Sequence, residues 1–297
     1  MNPSRGFTLV ELSVALIIIA LLLAGALIPL STQIEVRNTA DTQRSLEGVK
    51  EAIVGFALAN GRLPCPADGS IADGIAGAGT EQYNGTFCTT TVGVIPWTTL
   101  GVPETDAWGR RISYRVAPVF ADAIAISTWA TSTTPTPLTA PASPGNQPGC
   151  VPTPSPTLSS FALCSLGDIV VLTRTEMATA ATLLGTALPA VIISHGKNGY
   201  SAWQTNGTRL TPAPGGGDEI ANANGTTSAT GAALGGSPYY ASWVFYHRNP
   251  TPASSGCSDP APGAAPSSSP LCEFDDIVIM ISPNTLVARM VAAGRLP

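Results

Sequence analysis

The chain has 297 residues, a net charge of −5 and only 11% charged residues, against about 25% in an average soluble domain. It has no basic surplus to neutralise phosphates, which argues against binding nucleic acid through bulk charge. With 44% apolar residues, 30 Gly and 27 Pro, it is a candidate for long loops, and its length allows one or two domains.

From Leu12 to Leu30 no residue is charged, and the run reads LSVALIIIALLLAGALIPL. At the rise of an α-helix, about 20 such residues cross a hydrocarbon core of roughly 30 Å, so the segment is long enough to span a bilayer. Arg5 is the cation ahead of it, which favours a cytoplasmic N-terminus and an external C-terminus. Glu11 sits at the edge of the run, behind Phe7, Leu9 and Val10. A carboxylate at a helix centre in the bilayer costs roughly 2.5–3.5 kcal/mol, less near the interface, so this residue needs a partner or a function. One reading has it snorkelling at the interface. A competing reading of the N-terminus is a secretory signal peptide with an A-x-A-like site at Ala24-Gly25-Ala26, which would release an exported, monomeric, disulfide-stapled binding protein or adhesin starting at Leu27.

The segment Gly6-Phe7-Thr8-Leu9-Val10-Glu11-Leu12 resembles the prepilin cleavage and methylation motif of type IV pilins and type II secretion pseudopilins: a short polar leader with a basic residue, then Gly, Phe, and Glu as the fifth residue from that Phe. The resemblance implies that a prepilin peptidase cuts between Gly6 and Phe7 and methylates the new amine. It implies that Glu11 pairs with the Phe7 ammonium of a neighbouring subunit to set filament register. The partners it implies are like or related pilin subunits, the peptidase, an inner-membrane assembly platform and membrane lipid. The place it implies is a bacterial inner membrane, with the N-terminus cytoplasmic and a periplasmic head.

After Pro29 the pattern becomes amphipathic. Ile34, Leu46, Val49, Ile53, Phe56 and Ala57 recur at helical steps and are expected to lie on the head. Glu35, Arg37, Asp41, Arg44, Glu47, Lys50 and Glu51 read mostly as a solvated face, with Arg37/Asp41, Arg44/Glu47 and Glu47/Lys50 as opposite-charge pairs three or four apart. A helix over 7–60 is expected, ended by Gly61 and Pro64. The organisation read from the chain is a leader at 1–6, a helix at 7–60 with its membrane span at about 10–30, and a head at 61–297. The fold class is α+β and pilin-like: the long helix packs on a small antiparallel sheet with long loops.

In the head, Ile112–Ala117, Ile169–Leu172, Ala190–Ser194, Tyr239–Tyr246 and Asp276–Ile281 read as strands. Ala130–Ser160, Thr211–Ser237 and Asn249–Pro270 read as loops by composition. Asp106-Ala107-Trp108-Gly109 with Tyr114 resembles the D-P-W-G-x-x-x-x-Y segment of major pseudopilins, with Ala107 in the place of Pro. Its expected role is structural: Asp106 anchors a turn, Gly109 relieves the backbone, and Trp108 and Tyr114 pack. Ser282-Pro283 reads as the start of a closing helix through Ala293, stopped by Gly294.

The six cysteines lie outside the apolar run, and sequence does not choose their pairing. Nearest neighbours are the simplest arrangement: Cys65–Cys88, Cys150–Cys164 and Cys257–Cys272. No C-x-x-C occurs, so no zinc or redox site is expected. His195 and His247 are accompanied by no nucleophile elbow or ligand pair, so no enzymatic activity is expected. Asp218-Glu219 and Asp275-Asp276 read first as solvated carboxylates. The resemblance also allows calcium at Asp275 and Asp276, as in major pseudopilins, but the six to eight oxygens calcium takes are not on display. No other cofactor is expected. Asn84, Asn206 and Asn224 begin N-x-T patterns, which carry little meaning in the bacterial setting the resemblance implies.

Overall fold

The computed structural model describes residues 8–123, 159–163, 165–174, 181–212, 215–224, 243–260 and 268–296, and within the first helix the side chains outside 22–31. Gly6, Phe7, Cys150 and Cys164 lie outside the described residues, as does the first half of the strand expected over Tyr239–Tyr246.

Helix α1 runs from Leu9 to Asn60. Thr8 caps its start, and Gly61 ends it at φ 71°, its N–H reaching the Ala57 carbonyl. Glycine takes that left-handed position without a Cβ penalty. Pro29 falls inside α1 and does not end it. Leu46, Val49, Ile53 and Ala57 are fully buried, as the spacing predicts, but Ile34 is exposed. The head first buries the helix at Thr42, so the earlier apolar positions have nothing to pack on. Arg37–Asp41 at 3.5 Å and Lys50–Glu47 at 2.6 Å form as expected, whereas Arg44 pairs with Asp41 at 2.8 Å and not with Glu47. Among the described residues no helix is long and apolar enough to cross a membrane; nine positions of the apolar run, 22–30, fall where side chains are not described.

The head contains β1 (Val92–Val94), α2 (Trp97–Leu100), β2 (Ser113–Val116), α3 (Pro118–Ala121), β3 (Ile169–Thr173), β4 (Thr182–Leu188), β5 (Ala190–Ser194), α4 (Gly217–Asn224), β6 (Trp243–Tyr246), β7 (Ile277–Ile281) and α5 (Pro283–Ala292). Instead of the single sheet expected, there are two. The first has order β1-β2-β5-β7 and is antiparallel throughout; the second has order β4-β3-β6, with β3 and β6 parallel. The reason lies in β5, whose five residues are all buried. A strand covered on both faces needs a layer on each side.

Ala190 and Ile192 of β5 point to the core shared with α1 and α5. Val191 and Ile193 point to a second core shared with Ile169, Val171 and Phe245 of the other sheet. A third cluster, Val170, Leu172, Val244, Tyr246 and Phe274, is closed by Ala221 of α4. That helix lies within the stretch expected to be a loop; its buried alanines suit close packing on a sheet, which composition alone does not reveal. Helix α5 starts after Ser282 as expected, though the Ser282 side chain makes no capping bond, and Gly294 follows at φ 68°. Cys65–Cys88 and Cys257–Cys272 are joined, with Cα atoms 5.4 and 4.8 Å apart.

Buried ion pairs tie the layers. Arg115 of β2 pairs with Asp168 and stacks over Trp243 of β6, its guanidinium carbon 4.5 Å from the ring centre, so it bridges the two sheets. Below the Cys257–Cys272 loop, Arg174 and Arg248 share Asp218, and Arg248 also reaches Asp259 at 3.5 Å.

Candidate functional sites

Three places in the molecule bear on function: the helix start, the junction of helix and head, and an acidic cluster at one end of the first sheet.

At the helix start Thr8 and Glu11 form a reciprocal capping box. The Thr8 N–H donates to Glu11 Oε2 at 2.9 Å, and the Glu11 N–H donates to Thr8 Oγ1 at 3.3 Å. Such a box satisfies two of the four free N–H groups of a helix start. The Glu11 carboxylate is thereby held next to Thr8, the residue that follows Phe7. From Leu9 to Leu21 the side chains are exposed on every face of α1, Leu9 and Leu21 at 86% and 68%. A helix that is apolar all round has to be covered by something outside the chain.

At the junction, Asp106 Oδ1 accepts the N–H groups of Trp108 and Arg110 at 2.9 and 3.0 Å, and Asp106 Oδ2 accepts the Ser194 hydroxyl at 2.6 Å. Gly109 has φ 75°, Tyr114 is buried and Trp108 packs on the main core. The turn expected from this segment is therefore present. Ala107 donates its N–H to Thr42 Oγ1 at 3.2 Å, a bond that a Pro at this position lacks the hydrogen to make. Exposed pairs also join helix and head: Lys197–Glu35 at 2.9 Å and Arg289–Glu51 at 3.2 Å.

The acidic cluster overturns the reading of solvated carboxylates. Asp218 and Glu219 are each 1% exposed and Asp276 is 4% exposed. Asp218 belongs to the Arg174–Arg248–Asp259 network. Glu219, Asp275 and Asp276 converge separately, one carboxylate oxygen of each lying within 4.8 Å of the others. Glu219 arrives on α4. Asp275 and Asp276 directly precede β7, whose Ile277 pairs with Ser194 of β5. His195 follows Ser194, so the ladder sets it beside Asp276. Gly196, at φ 54°, lets Asp275 close in; a Cβ there would meet Asp275 Oδ1 at 2.6 Å.

Burial, then the Asp276 charge, pushes Glu219 up to about 7. Burial pushes Asp275 up to about 6. Asp218 is also pushed up to about 6, by burial and by Asp259, against the pull of its arginines.

The carboxylate oxygens of the cluster are mostly held by hydrogen bonds. Glu219 Oε1 accepts from Asn198 Nδ2 at 2.8 Å and from the Asp275 N–H at 3.3 Å, and Oε2 accepts from the Gly215 N–H at 2.8 Å. Asp275 Oδ2 accepts from the Asn198 N–H at 2.7 Å, and Asp276 Oδ2 from Asn222 Nδ2 at 2.9 Å. Asp275 Oδ1 and Asp276 Oδ1 are buried without a hydrogen-bond partner. His247 lies apart, its Nδ1 3.0 Å from the Val278 carbonyl. Asn84 and Asn206 are turn residues: their side-chain oxygens accept the N–H groups of Thr86 and Thr208, a common role for Asn.

Compared with known proteins, residues 1–27 match the family described as the prokaryotic N-terminal methylation motif. No curated protein and no solved structure matches the chain. The motif implies processing by prepilin peptidase and assembly with other pilin subunits, and it supports a pilin-like or pseudopilin-like protein that is membrane-anchored or exported. Residues 1–27 thus carry the cleavage and methylation motif of type IV pilins and pseudopilins.

Proposed function

We propose that the chain is a structural, non-enzymatic subunit of a type IV filament, a pilin or a pseudopilin of a secretion-type system. Prepilin peptidase removes residues 1–6 and methylates Phe7. The first half of α1, about 10–30, sits in the bacterial inner membrane with the N-terminus cytoplasmic. The head, 61–297, faces the periplasm. An inner-membrane assembly platform then draws subunits out of the lipid, and their helices pack together.

The observation that carries this reading is the division of α1. Its last third packs on the head, while Leu9–Leu21, inside the matched residues 1–27, is largely apolar and uncovered. Lipid covers such a surface before assembly, and neighbouring helices cover it afterwards. The capping box supports a role for Glu11, because it holds the carboxylate one residue from the amine that cleavage creates. Pairing with the Phe7 ammonium of a neighbour lowers the cost of both charges in lipid and favours the filament over the free subunit.

Co-expression with a prepilin peptidase and its filament system tests the reading. The chain is expected to lose its leader, Gly6→Val to block the cut, and Glu11→Ala to insert and be cleaved yet enter filaments poorly. Normal incorporation of Glu11→Ala contradicts the pairing role.

A further inference from the structure

Helix α4 is held in place by polar contacts. Its eight residues are too few for a helix to stand alone, and the apolar side chains it buries, Ala221 and Ala223, are small. It also buries Asp218, Glu219 and Asn222, and burial of such groups costs free energy unless each finds a partner. Asn222 finds one at the outer edge of β6, accepting the Tyr246 N–H at 2.7 Å and donating to the Tyr246 carbonyl at 3.0 Å. Asp218 finds Arg174 and Arg248.

The start of the helix is completed from another part of the chain. Asp259 Oδ2 accepts the Asp218 N–H at 3.3 Å, as an N-cap side chain does. The same oxygen stands 3.5 Å from Arg248 Nη2, so Asp259 is the second carboxylate set against the two arginines. Gly216 keeps the approach open: a Cβ there would run into Asp259 Oδ2 and Cys272 Cβ. Asp259 lies two residues past Cys257, and its Oδ1 accepts the Cys272 N–H at 3.2 Å. The Cys257–Cys272 bond therefore fixes Asp259 from both sides. Arg248 Nη2 donates to the Cys272 carbonyl at 2.9 Å, and Arg174 donates to the Pro260 carbonyl. Apolar burial does not hold this segment, since residues 249–270 contain no Val, Ile, Leu, Met or aromatic residue, a composition that does not order itself.

We propose that the Cys257–Cys272 disulfide is a redox latch for α4: its oxidation seats Asp259 against Arg248 and the start of the helix, and its reduction releases both. In closing, the two thiols give up two protons and two electrons and their sulfur atoms join. A disulfide-type thiol oxidant of an oxidising compartment accepts them and leaves as a dithiol. Closing the loop removes freedom from the open chain, and in this way oxidation becomes local order. In the reduced chain two buried arginines face one carboxylate, which favours release of the segment into water. Asn222 leaves with α4, and the edge of β6 is uncovered. The core shared by α1, α5 and the first sheet contains none of these residues, so it stays closed when the latch opens. The inference concerns the head alone and stands apart from the filament reading.

Hydrogen exchange read by mass spectrometry on the full chain in detergent tests the latch. Cys257→Ser with Cys272→Ser opens it and leaves Cys65–Cys88 closed. A peptide covering 217–224 is expected to exchange at least about tenfold faster than in the oxidised chain, while peptides covering 113–116 and 190–194 exchange as before. Asp259→Ala with the disulfide intact is expected to reproduce the effect at 217–224, and it carries the test if the double variant does not fold. Protection of 217–224 that survives in the double variant overturns the latch. Equal loss of protection over both sheets also overturns it, because that marks a general staple. An Asp259→Ala chain whose α4 exchanges as in the unaltered protein overturns the part given to Asp259.

Discussion

Thr42 Oγ1, fully buried on α1, accepts the backbone N–H of Ala107 at 3.2 Å across 65 residues of sequence. It fixes the turn of Asp106–Gly109 to the helix at the point where the head first covers it. Removing the acceptor leaves a part-buried N–H without a partner, which costs about 1–3 kcal/mol. Thr42→Val keeps the shape and is expected to lose that much in urea or guanidinium unfolding. Ala107→Pro removes the donor and is expected to leave the Thr42 hydroxyl as the orphan, so the two changes together should cost less than their sum.

The Arg115–Asp168 pair is expected to be far more costly to break than any pair on the stalk. Asp168→Ala strands a buried guanidinium between the two sheets, a loss of about 3–5 kcal/mol. Glu51→Ala breaks an exposed pair with Arg289, both side chains half in water, and is expected to change stability by less than about 1 kcal/mol. Leu286→Ala, on the same closing helix but fully buried, is expected to cost about 2–5 kcal/mol. Thermal or denaturant unfolding of the three variants side by side checks the ordering.

Much of this architecture is legible along the chain, and the exceptions share a cause. The N-terminal helix, its Gly61 stop and strands β2, β3, β5 and β7 follow from apolar period and turn residues, which are local. The β3–β6 pairing is not local. It joins segments more than 70 residues apart in parallel, and no periodicity announces it. Strand β1 is three residues long, and β4 contains Gly185 and a positive φ at Ala187, so neither shows a clear alternation. Charge misleads for a different reason. Asp218, Glu219 and Asp276 look like surface residues because acidic side chains usually are. Their burial depends on partners from distant elements, among them Arg174, Asn198 and Asn222. The processing motif was readable at once because its chemistry lies in seven consecutive residues; the His195–Asp276 approach exists only after β5 and β7 pair.

Asp218 gives stability a pH dependence of defined sign. Its folded value, about 6, lies above the usual carboxylate value of 3.8 because burial and Asp259 disfavour its charge. A raised acid binds its proton more tightly in the folded state, so its contribution is complete below about pH 4 and is lost as pH rises through 6. Glu219 and Asp275 are shifted in the same direction. The melting temperature of the protein is expected to fall from pH 4.5 to 7.5 on this account. Asp218→Asn is expected to flatten part of that slope, whatever its effect on absolute stability.

The central claim is that the N-terminus is processed as a prepilin, and the mass of the mature N-terminal peptide from the native source tests it most directly. The account expects that peptide to begin at Phe7 with one methyl group on its amine. A peptide beginning at Leu27, or an intact Met1, contradicts it.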